Sequence, residues 1–504
     1  MPSSARRERF PRTYCAIDLG AESGRVVLGR LGGGVLTSQV VRRFPNVPLR
    51  QGKSLRWDVE RLWREIACGL RGIDERELDG IGVDAWGVDY ALLGERGELL
   101  ENPYHYRDPR TSGTMEEVLG RIPREEIYRI TGIQFMPINT IYQLAAAKRD
   151  TPELLDSAKQ LLTIPDLFHY WLTGTTVCEF TNATTTQLID ARSRSWSIDL
   201  IERLGWPTHL PASIREPGTI LGPLRPEVTG GRLSAQVILP GSHDTASAVA
   251  AVAARGDTAF LSSGTWSLVG IELDAPLITP EALGLNFTNE GGVDRTTRLL
   301  KNVMGLWLLQ SCRKSWSSEG QDYSYEELTH LAERQARFAF LCDPDDRSFL
   351  SPADMPRAID QFCERTDQPR PSSPAGYARG ILESLAFKYR LIIESLERLL
   401  GRRIEQIRVI GGGSKNELLN QLTADATGKR VLAGPAEATS LGNLAVQMVA
   451  AGAVGSFAEV RGLIERSFGT KIYEPLDPGR WDAEARRFRH YSELAQGSAE
   501  GGMG

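Results

Sequence analysis

One aspartate stands where a carboxylate could take a proton from a bound substrate. Asp244 lies in the run Gly241-Ser-His-Asp-Thr-Ala-Ser247, after a short apolar strand pattern and before small residues typical of a close-packed helix. A carboxylate at such a strand-to-helix junction can point away from the sheet and act as a general base. The alternative is that Asp244 caps the helix by accepting hydrogen bonds from its free N–H groups. His243, directly before it, is the histidine that stands beside another candidate residue.

Two glycine-rich turns have the form of anion-binding sites. The run Asp18-Leu-Gly-Ala-Glu-Ser-Gly-Arg25 reads as strand, turn and strand, and such a turn lets backbone N–H groups approach an anion. Arg25 could neutralise phosphate charge, and Asp18 could orient a hydrated magnesium ion. The run Gly411-Gly-Gly-Ser414 stands between a strand and a helix, where a helix N-terminus can receive an anion. In both places the glycines could instead serve only a tight turn or close packing.

A third candidate site follows an apolar strand. The run Asp84-Ala-Trp-Gly-Val-Asp89 combines carboxylates, an aromatic ring and a glycine. Carboxylates accept hydrogen bonds from sugar hydroxyls, and the ring of Trp86 offers a face to C–H groups, so this pattern is typical of a sugar pocket. The alternative is a strand end with a buried tryptophan.

A possible internal repeat would position these turns. Residues 15–29 and 259–270 each read as strand, glycine turn and strand, and in each the turn glycine is followed three residues later by a serine. A duplication at about half the chain length predicts two related lobes. The alternative is a pair of ordinary hairpins.

The elements around the first hairpin have a mixed order. A third strand is predicted over residues 35–44, an amphipathic helix over 59–72 and an apolar strand over 81–84. Three strands, a helix and a strand indicate an α/β fold. Mainly helical structure is predicted for residues 115–173, and further helices for 246–254, 299–316 and 377–400.

Composition excludes several classes of protein. The chain has 504 residues and a net charge of -5, so it has no basic field for nucleic acid. The six cysteines form no CxxC pair, and we expect reduced thiols in a cytoplasmic protein. The basic N-terminus lacks the apolar segment of a secretory signal, and no apolar run is long enough to span a membrane. We expect a monomer or a homodimer.

Taken together and in this order, these motifs resemble the FGGY family of carbohydrate kinases, which are two-lobed enzymes of the actin-like ATPase superfamily. The resemblance extends from about residue 14 to 473. It implies an α/β fold with two actin-like, ribonuclease H-like lobes and an interlobe cleft. The matching blocks are residues 84–90, 104–111, 131–135, 181–187, 242–247, 262–267, 289–292, 301–310 and 411–416.

The resemblance also implies roles for single residues. Asp244 would be the catalytic base, and Gly87, His243 and Asn302 would contact the sugar beside Trp86. The residues around Asn302 and Gln310 read as an apolar helix. Without the resemblance, nothing in the sequence would mark Asn302 as a sugar contact or Gln310 as an ATP contact. The implied ATP contacts are Ala21, Glu22, Ser23, Gly24, Arg25, Thr265, Gln310 and Gly412.

The resulting hypothesis is ATP- and Mg²⁺-dependent phosphorylation of a small sugar on a primary hydroxyl. The predicted division is a disordered arm over residues 1–12, a sugar-binding lobe over 13–252, an ATP-binding lobe over 253–496 and a flexible tail over 497–504. Because phosphoryl transfer depends mainly on positioning, Asp244 needs no unusual pKa. The alternatives are a family member acting on another sugar or polyol, and a non-kinase actin-like nucleotide-binding protein.

Overall fold

The computed structural model describes residues 11–500, without the side chains of residues 495–500. Residues 1–10 of the predicted arm and 501–504 of the predicted tail lie outside the described residues. Within the described part, Arg12 begins the first strand and residues 497–500 end the last helix.

Twenty-one strands are described. They are β1 (Arg12–Leu19), β2 (Ser23–Gly32), β3 (Val35–Pro45), β4 (Leu49–Gln51), β5 (Ser54–Arg56), β6 (Glu77–Ala85), β7 (Tyr90–Leu93), β8 (Gln160–Thr163), β9 (Cys178–Glu179), β10 (Ile189–Asp190), β11 (Ser195–Trp196), β12 (Ile214–Arg215), β13 (Ile220–Pro223), β14 (Ser234–Ile238), β15 (Thr258–Ser263), β16 (Trp266–Leu273), β17 (Thr288–Gly291), β18 (Thr297–Met304), β19 (Gln406–Ile410), β20 (Arg430–Ala433) and β21 (Lys471–Tyr473).

The α-helices lie singly or in groups between these strands. They are α1 (Val59–Arg71), α2 (Thr114–Arg121), α3 (Arg124–Thr131), α4 (Thr140–Asp150), α5 (Pro152–Ser157), α6 (Ile164–Thr173), α7 (Phe180–Thr184), α8 (Ile198–Arg203), α9 (Pro226–Thr229), α10 (Asp244–Ala250), α11 (Pro280–Gly284), α12 (Trp307–Ser318), α13 (Tyr325–Glu333), α14 (Met355–Arg365), α15 (Pro374–Leu400), α16 (Glu417–Thr427), α17 (Ala438–Ala450), α18 (Phe457–Phe468) and α19 (Pro478–Glu500).

The chain divides into two compact units. Of the described residues, unit 1 holds those up to Ala253 together with Glu272–Leu300 and Glu437–Gly469, and unit 2 holds the others. The chain therefore returns to unit 1 twice, whereas the lobes predicted from the sequence are continuous segments. That continuous division stays a prediction.

Unit 1 is built on a six-stranded sheet in the order β13-β14-β6-β1-β2-β3. Strand β2 pairs antiparallel with both β1 and β3, β1 pairs in parallel with β6, and β6 pairs in parallel with β14. The centre of the sheet is apolar, because Tyr14, Cys15, Ala16 and Ile17 of β1 are all fully buried. The mixed α/β order predicted from the sequence is confirmed.

Unit 2 repeats this arrangement in its own sheet. The hairpin β15-β16 is antiparallel, β15 pairs in parallel with β19, β19 pairs in parallel with β20, and β21 closes the edge antiparallel to β20. The same sequence of pairings runs through β1-β2, β6, β14 and β13 in unit 1. The repeat indicated by the two glycine hairpins therefore extends over five strands of each sheet.

Local sequence explains the helices that border the main sheet of unit 1. Asp58 caps α1 by accepting from the backbone N–H of Arg61 at 3.0 Å, and Leu62, Ile66 and Leu70 form its buried face. The small residues of α10 allow α17 to pack against it without a gap. A side chain at Gly442 would collide with the backbone at Ser247, so this close approach requires glycine.

The helix predicted over residues 299–316 is wrong in its first half. Thr297–Met304 is β18, which pairs antiparallel with β17, and the helix α12 begins only at Trp307. The apolar run fits either periodicity when read alone, and pairing with a neighbouring strand decides the conformation. Asn302 therefore lies on a strand and not on a helix.

No helix of the described chain has the length and apolar character that crossing a bilayer requires.

Candidate active site

Three aspartates meet at one edge of the sheet in unit 1. Asp18 and Asp84 are the next-to-last residues of β1 and β6, and Asp244 follows the loop after β14, so all three lie near the carboxyl ends of neighbouring parallel strands. Asp18 and Asp84 are register partners, and Ala85 bridges to His243. The carboxyl end of a parallel sheet is the usual place for a ligand site in open α/β sheets.

Asp18 is held by two donors and is 3% exposed. The Nε of Arg25 donates to its Oδ2 at 3.0 Å, and the hydroxyl of Ser440 donates to the same oxygen at 2.8 Å. The guanidinium of Arg25 also forms an ion pair with Glu437. Arg25 thus already has two carboxylate partners, so phosphate would have to share it with them.

Asp84 is fully buried and only half satisfied. Its Oδ2 accepts a hydrogen bond from the side-chain amide of Asn443 at 2.6 Å, while its Oδ1 has no partner among the described residues. Burial raises the pKa of Asp84 well above its usual value, and the negative charge of Asp18 raises it further. This oxygen is therefore an acceptor that a proton or a bound cation could satisfy.

Asp244 is the first residue of α10, whose N-cap is His243, and the N-cap makes no side-chain capping bond. Its Oδ1 accepts from the hydroxyl of Thr245 at 3.0 Å and lies 3.5 Å from Nε2 of His243. The side chain is 30% exposed. Burial is nevertheless the main influence and raises the pKa of Asp244, which differs from the ordinary value expected from the sequence.

His243 is packed against a buried ion pair. Its Nδ1 lies 3.1 Å from Nη2 of Arg298 and 3.2 Å from Oε2 of Glu290. The same Nη2 donates to Glu290 at 3.1 Å, and the Nε of Arg298 donates to the carbonyl of Gly291 at 2.9 Å. Arg298 is completely buried, which lowers its pKa, while the charges of Glu290 and Asp244 oppose that effect. The sequence motifs did not single out Glu290 or Arg298 individually.

A second buried carboxylate fixes the backbone before His243. Glu179 accepts hydrogen bonds from the N–H of Ser242 at 2.9 Å, from its hydroxyl at 2.6 Å and from the hydroxyl of Thr181 at 2.6 Å. Burial raises the pKa of Glu179 to about 7. Asn182 donates to the carbonyls of Trp86 at 3.2 Å and Ser242 at 3.4 Å, and so joins the two predicted sugar-contacting segments.

The aromatic strand end has a buried acid at its centre. Asp89 accepts from the indole N–H of Trp86 at 3.0 Å and of Trp57 at 2.6 Å, and the two indole rings lie 4.1 Å apart. Burial raises the pKa of Asp89 to about 7. A side chain at Gly87 would lie only 2.8 Å from Thr185, so this position has no room for a larger residue.

The turn at residues 20–24 is closed by a bond from the Gly20 N–H to the carbonyl of Ser23 at 2.9 Å. Asn46, which the sequence analysis missed, supports it: its N–H donates to the carbonyl of Glu22 at 2.8 Å and its side chain donates to the carbonyl of Gly20 at 2.9 Å. Ala21 and Glu22 lie within this turn, and Ser23 and Gly24 begin β2.

The other predicted ATP contacts belong to unit 2. The carbonyl of Thr265 accepts from the N–H groups of Gly305 at 3.1 Å and Trp307 at 3.2 Å. Gln310 lies on α12, and its buried Oε1 has no hydrogen-bond partner in the described chain. Gly412 opens a 3₁₀ turn (Gly412–Lys415) after β19, and a side chain there would meet nothing within 4 Å. Asn302 is half-buried on β18.

Within the part of the chain that the structure describes, no cluster of three or more His, Cys, Asp or Glu side chains forms a direct metal site. The unpartnered Oδ1 of Asp84 and the adjacent carboxylate of Asp18 still fit one kind of cation. Mg²⁺ prefers oxygen ligands and is usually held by one or two carboxylates while it keeps several waters.

Comparison with known proteins identifies the relatives of this chain. The N-terminal domain of the FGGY family of carbohydrate kinases matches residues 13–251, and its C-terminal domain matches residues 259–451. The rhamnulokinase of Bacteroides thetaiotaomicron is 44% identical over 484 residues, covering 95% of this chain and 99% of the relative. The rhamnulokinase of Oceanobacillus iheyensis is 43% identical, covering 91% and 97%. The structure of a xylulose kinase from Lactobacillus acidophilus has a TM-score of 0.79 at 18% identity, covering 97% and 98%, which supports the fold.

Proposed function

This chain belongs to the FGGY family of carbohydrate kinases and is an ATP-dependent sugar kinase, and we propose that its sugar is L-rhamnulose, phosphorylated on the 1-hydroxyl. The observation that carries this proposal is identity above 40% to rhamnulokinases over more than 90% of both chains. The product, L-rhamnulose 1-phosphate, would serve the breakdown of L-rhamnose. The fold class predicted from the sequence, two actin-like α/β lobes, is confirmed by the same comparisons.

We assign the general base to Asp244. The 1-hydroxyl of the sugar attacks the γ-phosphorus, the bond from that phosphorus to the bridging oxygen of ADP breaks, and the hydroxyl proton passes to Asp244. A carboxylate with a raised pKa accepts a proton more readily than an ordinary one. The partial exposure of Asp244 at the carboxyl end of the sheet supports this role, since a base must reach its substrate.

We assign the sugar to Trp86, Gly87, His243 and Asn302, and ATP to the 20–24 turn, Arg25, Thr265, Gln310 and Gly412. The unpartnered acceptor of Gln310 and the open backbone at Gly412 support the second assignment. Asp18, with Asp84 beside it, would hold hydrated Mg²⁺, which neutralises phosphate charge when bound. The buried pair with Arg25 keeps the Asp18 carboxylate in place.

We place the reaction in the cytoplasm, and the six cysteines, which form no disulfide, support a reducing compartment. All residues in these assignments come from one chain, so a monomer or a homodimer would serve equally.

A panel of candidate sugars tests the substrate. Release of ADP would be followed with L-rhamnulose, L-fuculose, D-xylulose and glycerol, and without any sugar. We expect the highest kcat/KM with L-rhamnulose and negligible ADP release without sugar. Preference for another acceptor would reject the substrate but keep the kinase, whereas ATP turnover that ignores every sugar would favour a nucleotide-binding role.

A further inference from the structure

The hydrogen-bonding character of Arg298 limits what its neighbour can do. A guanidinium has only donors and stays protonated in proteins. Its Nη2 lies 3.1 Å from Nδ1 of His243 with the geometry of a hydrogen bond. That nitrogen must therefore present its lone pair to Arg298, and the proton of the neutral imidazole must sit on Nε2.

Glu290 favours the opposite arrangement. Its Oε2 lies 3.2 Å from the same Nδ1 and would accept a proton from it. Arg298 also donates to that oxygen, at 3.1 Å, and a hydrogen on Nδ1 would face the guanidinium N–H that has hydrogen-bond geometry with this nitrogen. The buried arginine thus decides between the two tautomers of His243, and it does so from a position with no exposure to solvent.

The tautomer has a consequence at the base. With its proton on Nε2, the ring carries its N–H on the nitrogen that lies 3.5 Å from Oδ1 of Asp244. The hydroxyl of Thr245 donates to that same oxygen at 3.0 Å. Oδ1 therefore has the hydroxyl of Thr245 as its donor and Nε2 of His243 as its neighbour, and Oδ2 would be the oxygen that faces the substrate.

We propose that Arg298 is a positioning residue for phosphoryl transfer: it holds the proton of His243 on Nε2 and thereby makes Oδ2 of Asp244 the atom that receives the sugar's proton. This inference rests on the proposed role of Asp244 as the base. It does not depend on which sugar is the substrate, because the tautomer is a property of the protein alone.

The test replaces the buried ion pair by apolar residues. Removing only the arginine would take away the cation beside the buried Glu290 carboxylate, which is strongly destabilising, so the variant is Arg298→Met with Glu290→Leu. The matched control is Arg379→Met with Glu383→Leu, because these two residues form another buried Arg–Glu pair, at 2.7 Å, on α15. Each protein would be labelled with ¹⁵N-histidine, and a His243→Asn variant would assign the His243 signal.

We expect the wild type and the control to carry the His243 proton on Nε2. The Arg298/Glu290 variant should shift towards the Nδ1–H form and lose at least about tenfold in kcat, part of the ~10²–10⁴-fold that a general base contributes. Its KM for ATP and its unfolding midpoint should match those of the control. The sugar would be whichever acceptor the panel identifies, so an error in the substrate cannot imitate a failure here.

An unchanged tautomer in the Arg298/Glu290 variant would overturn the proposal, whether or not kcat falls. A changed tautomer with kcat equal to that of the control would overturn it as well. If the variant does not fold while the control does, the neutral pair Arg298→Gln with Glu290→Gln replaces the donor-only guanidinium by an amide that can also accept from Nδ1, and the same two measurements apply to it.

Discussion

Asp18 and Asp84 are register partners on parallel strands, yet only Asp18 is paired with a cation. Arg25 and Ser440 hold Asp18, whereas Asp84 has the single amide of Asn443 and an unpartnered oxygen in the described structure. Two buried carboxylates side by side repel each other when both are ionised. Burial and this repulsion raise the pKa of Asp84, so the stability of the fold should depend on pH through Asp84.

We therefore expect Asp84→Asn to stabilise the fold at alkaline pH. The pKa of Asp84 is raised in the folded state, so its contribution to stability is present at low pH and is lost as the pH rises through that value. Asparagine removes the charge and should therefore raise the free energy of unfolding at pH 8.

Urea unfolding at pH 5 and pH 8 measures this, and the gap between variant and wild type should be smaller at pH 5. Asp156→Asn is the control, because Asp156 is an exposed aspartate on α5 and its replacement should give no pH-dependent gap. A variant that is less stable than the wild type at pH 8 would show that Asp84 is stabilising in its charged form.

Replacing the proposed base should separate catalysis from nucleotide binding. Asp244→Asn keeps the size of the side chain but cannot accept the proton, so kcat should fall by about 10²–10⁴-fold. The KM for ATP should change by less than about threefold, because Asp244 is not among the expected ATP contacts. Steady-state kinetics with the preferred sugar measure both quantities, and near-normal turnover would remove Asp244 from the mechanism.

The pH dependence of kcat/KM in the wild type should reflect the raised pKa of the partly buried Asp244. Protonated Asp244 cannot act, so activity is lost as the pH falls through its pKa. Because burial raises that pKa, the acid limb of kcat/KM should lie above pH ~4, the usual value for aspartate. Circular dichroism over the same range controls for unfolding. A limb at or below pH 4 would mean that the free enzyme's base is an unperturbed carboxylate.

Adjacent glycines in unit 2 allow a ligand contact to be told from a packing requirement. A methyl group at Gly412 meets nothing within 4 Å, whereas one at Gly413 would lie 2.9 Å from the carbonyl oxygen of Ser263. Gly412→Ala should keep the unfolding midpoint and raise the KM for ATP by about tenfold, equivalent to 1.4 kcal/mol. Gly413→Ala should be destabilised by about 1–3 kcal/mol through overpacking. An unchanged KM for ATP in Gly412→Ala would exclude contact there.

Much of the sheet architecture could be predicted because short local sequence patterns determine it. Glycine turns between apolar runs marked both hairpins, and the helix over 59–72 matched α1 within one residue. The β18 segment was mistaken for a helix because an apolar run carries no information about its pairing partner. Secondary structure that depends on a distant strand cannot be determined from its own residues.

The candidate site was only partly visible for a related reason. Asp18, Asp84, His243 and Asp244 stand in recognisable motifs, but several of their partners, namely Ser440, Asn443 and Arg298, come from distant segments of the chain. One signal was available on α17. Glu437, Ser440, Asn443 and Gln447 are polar residues spaced three or four apart along an otherwise small and apolar helix, which predicts a polar stripe facing a buried partner.

The return of α17 to unit 1 has a consequence for protein synthesis. The three aspartates are synthesised before α17. The α17 partners of Asp18 and Asp84 are made much later, within residues 437–469. At typical rates of elongation the chain needs on the order of ten to forty seconds to add the residues between Asp244 and the end of that segment. During this time the acidic edge lacks Ser440 and Asn443, so the nascent chain, or any fragment ending before residue 437, should be without kinase activity.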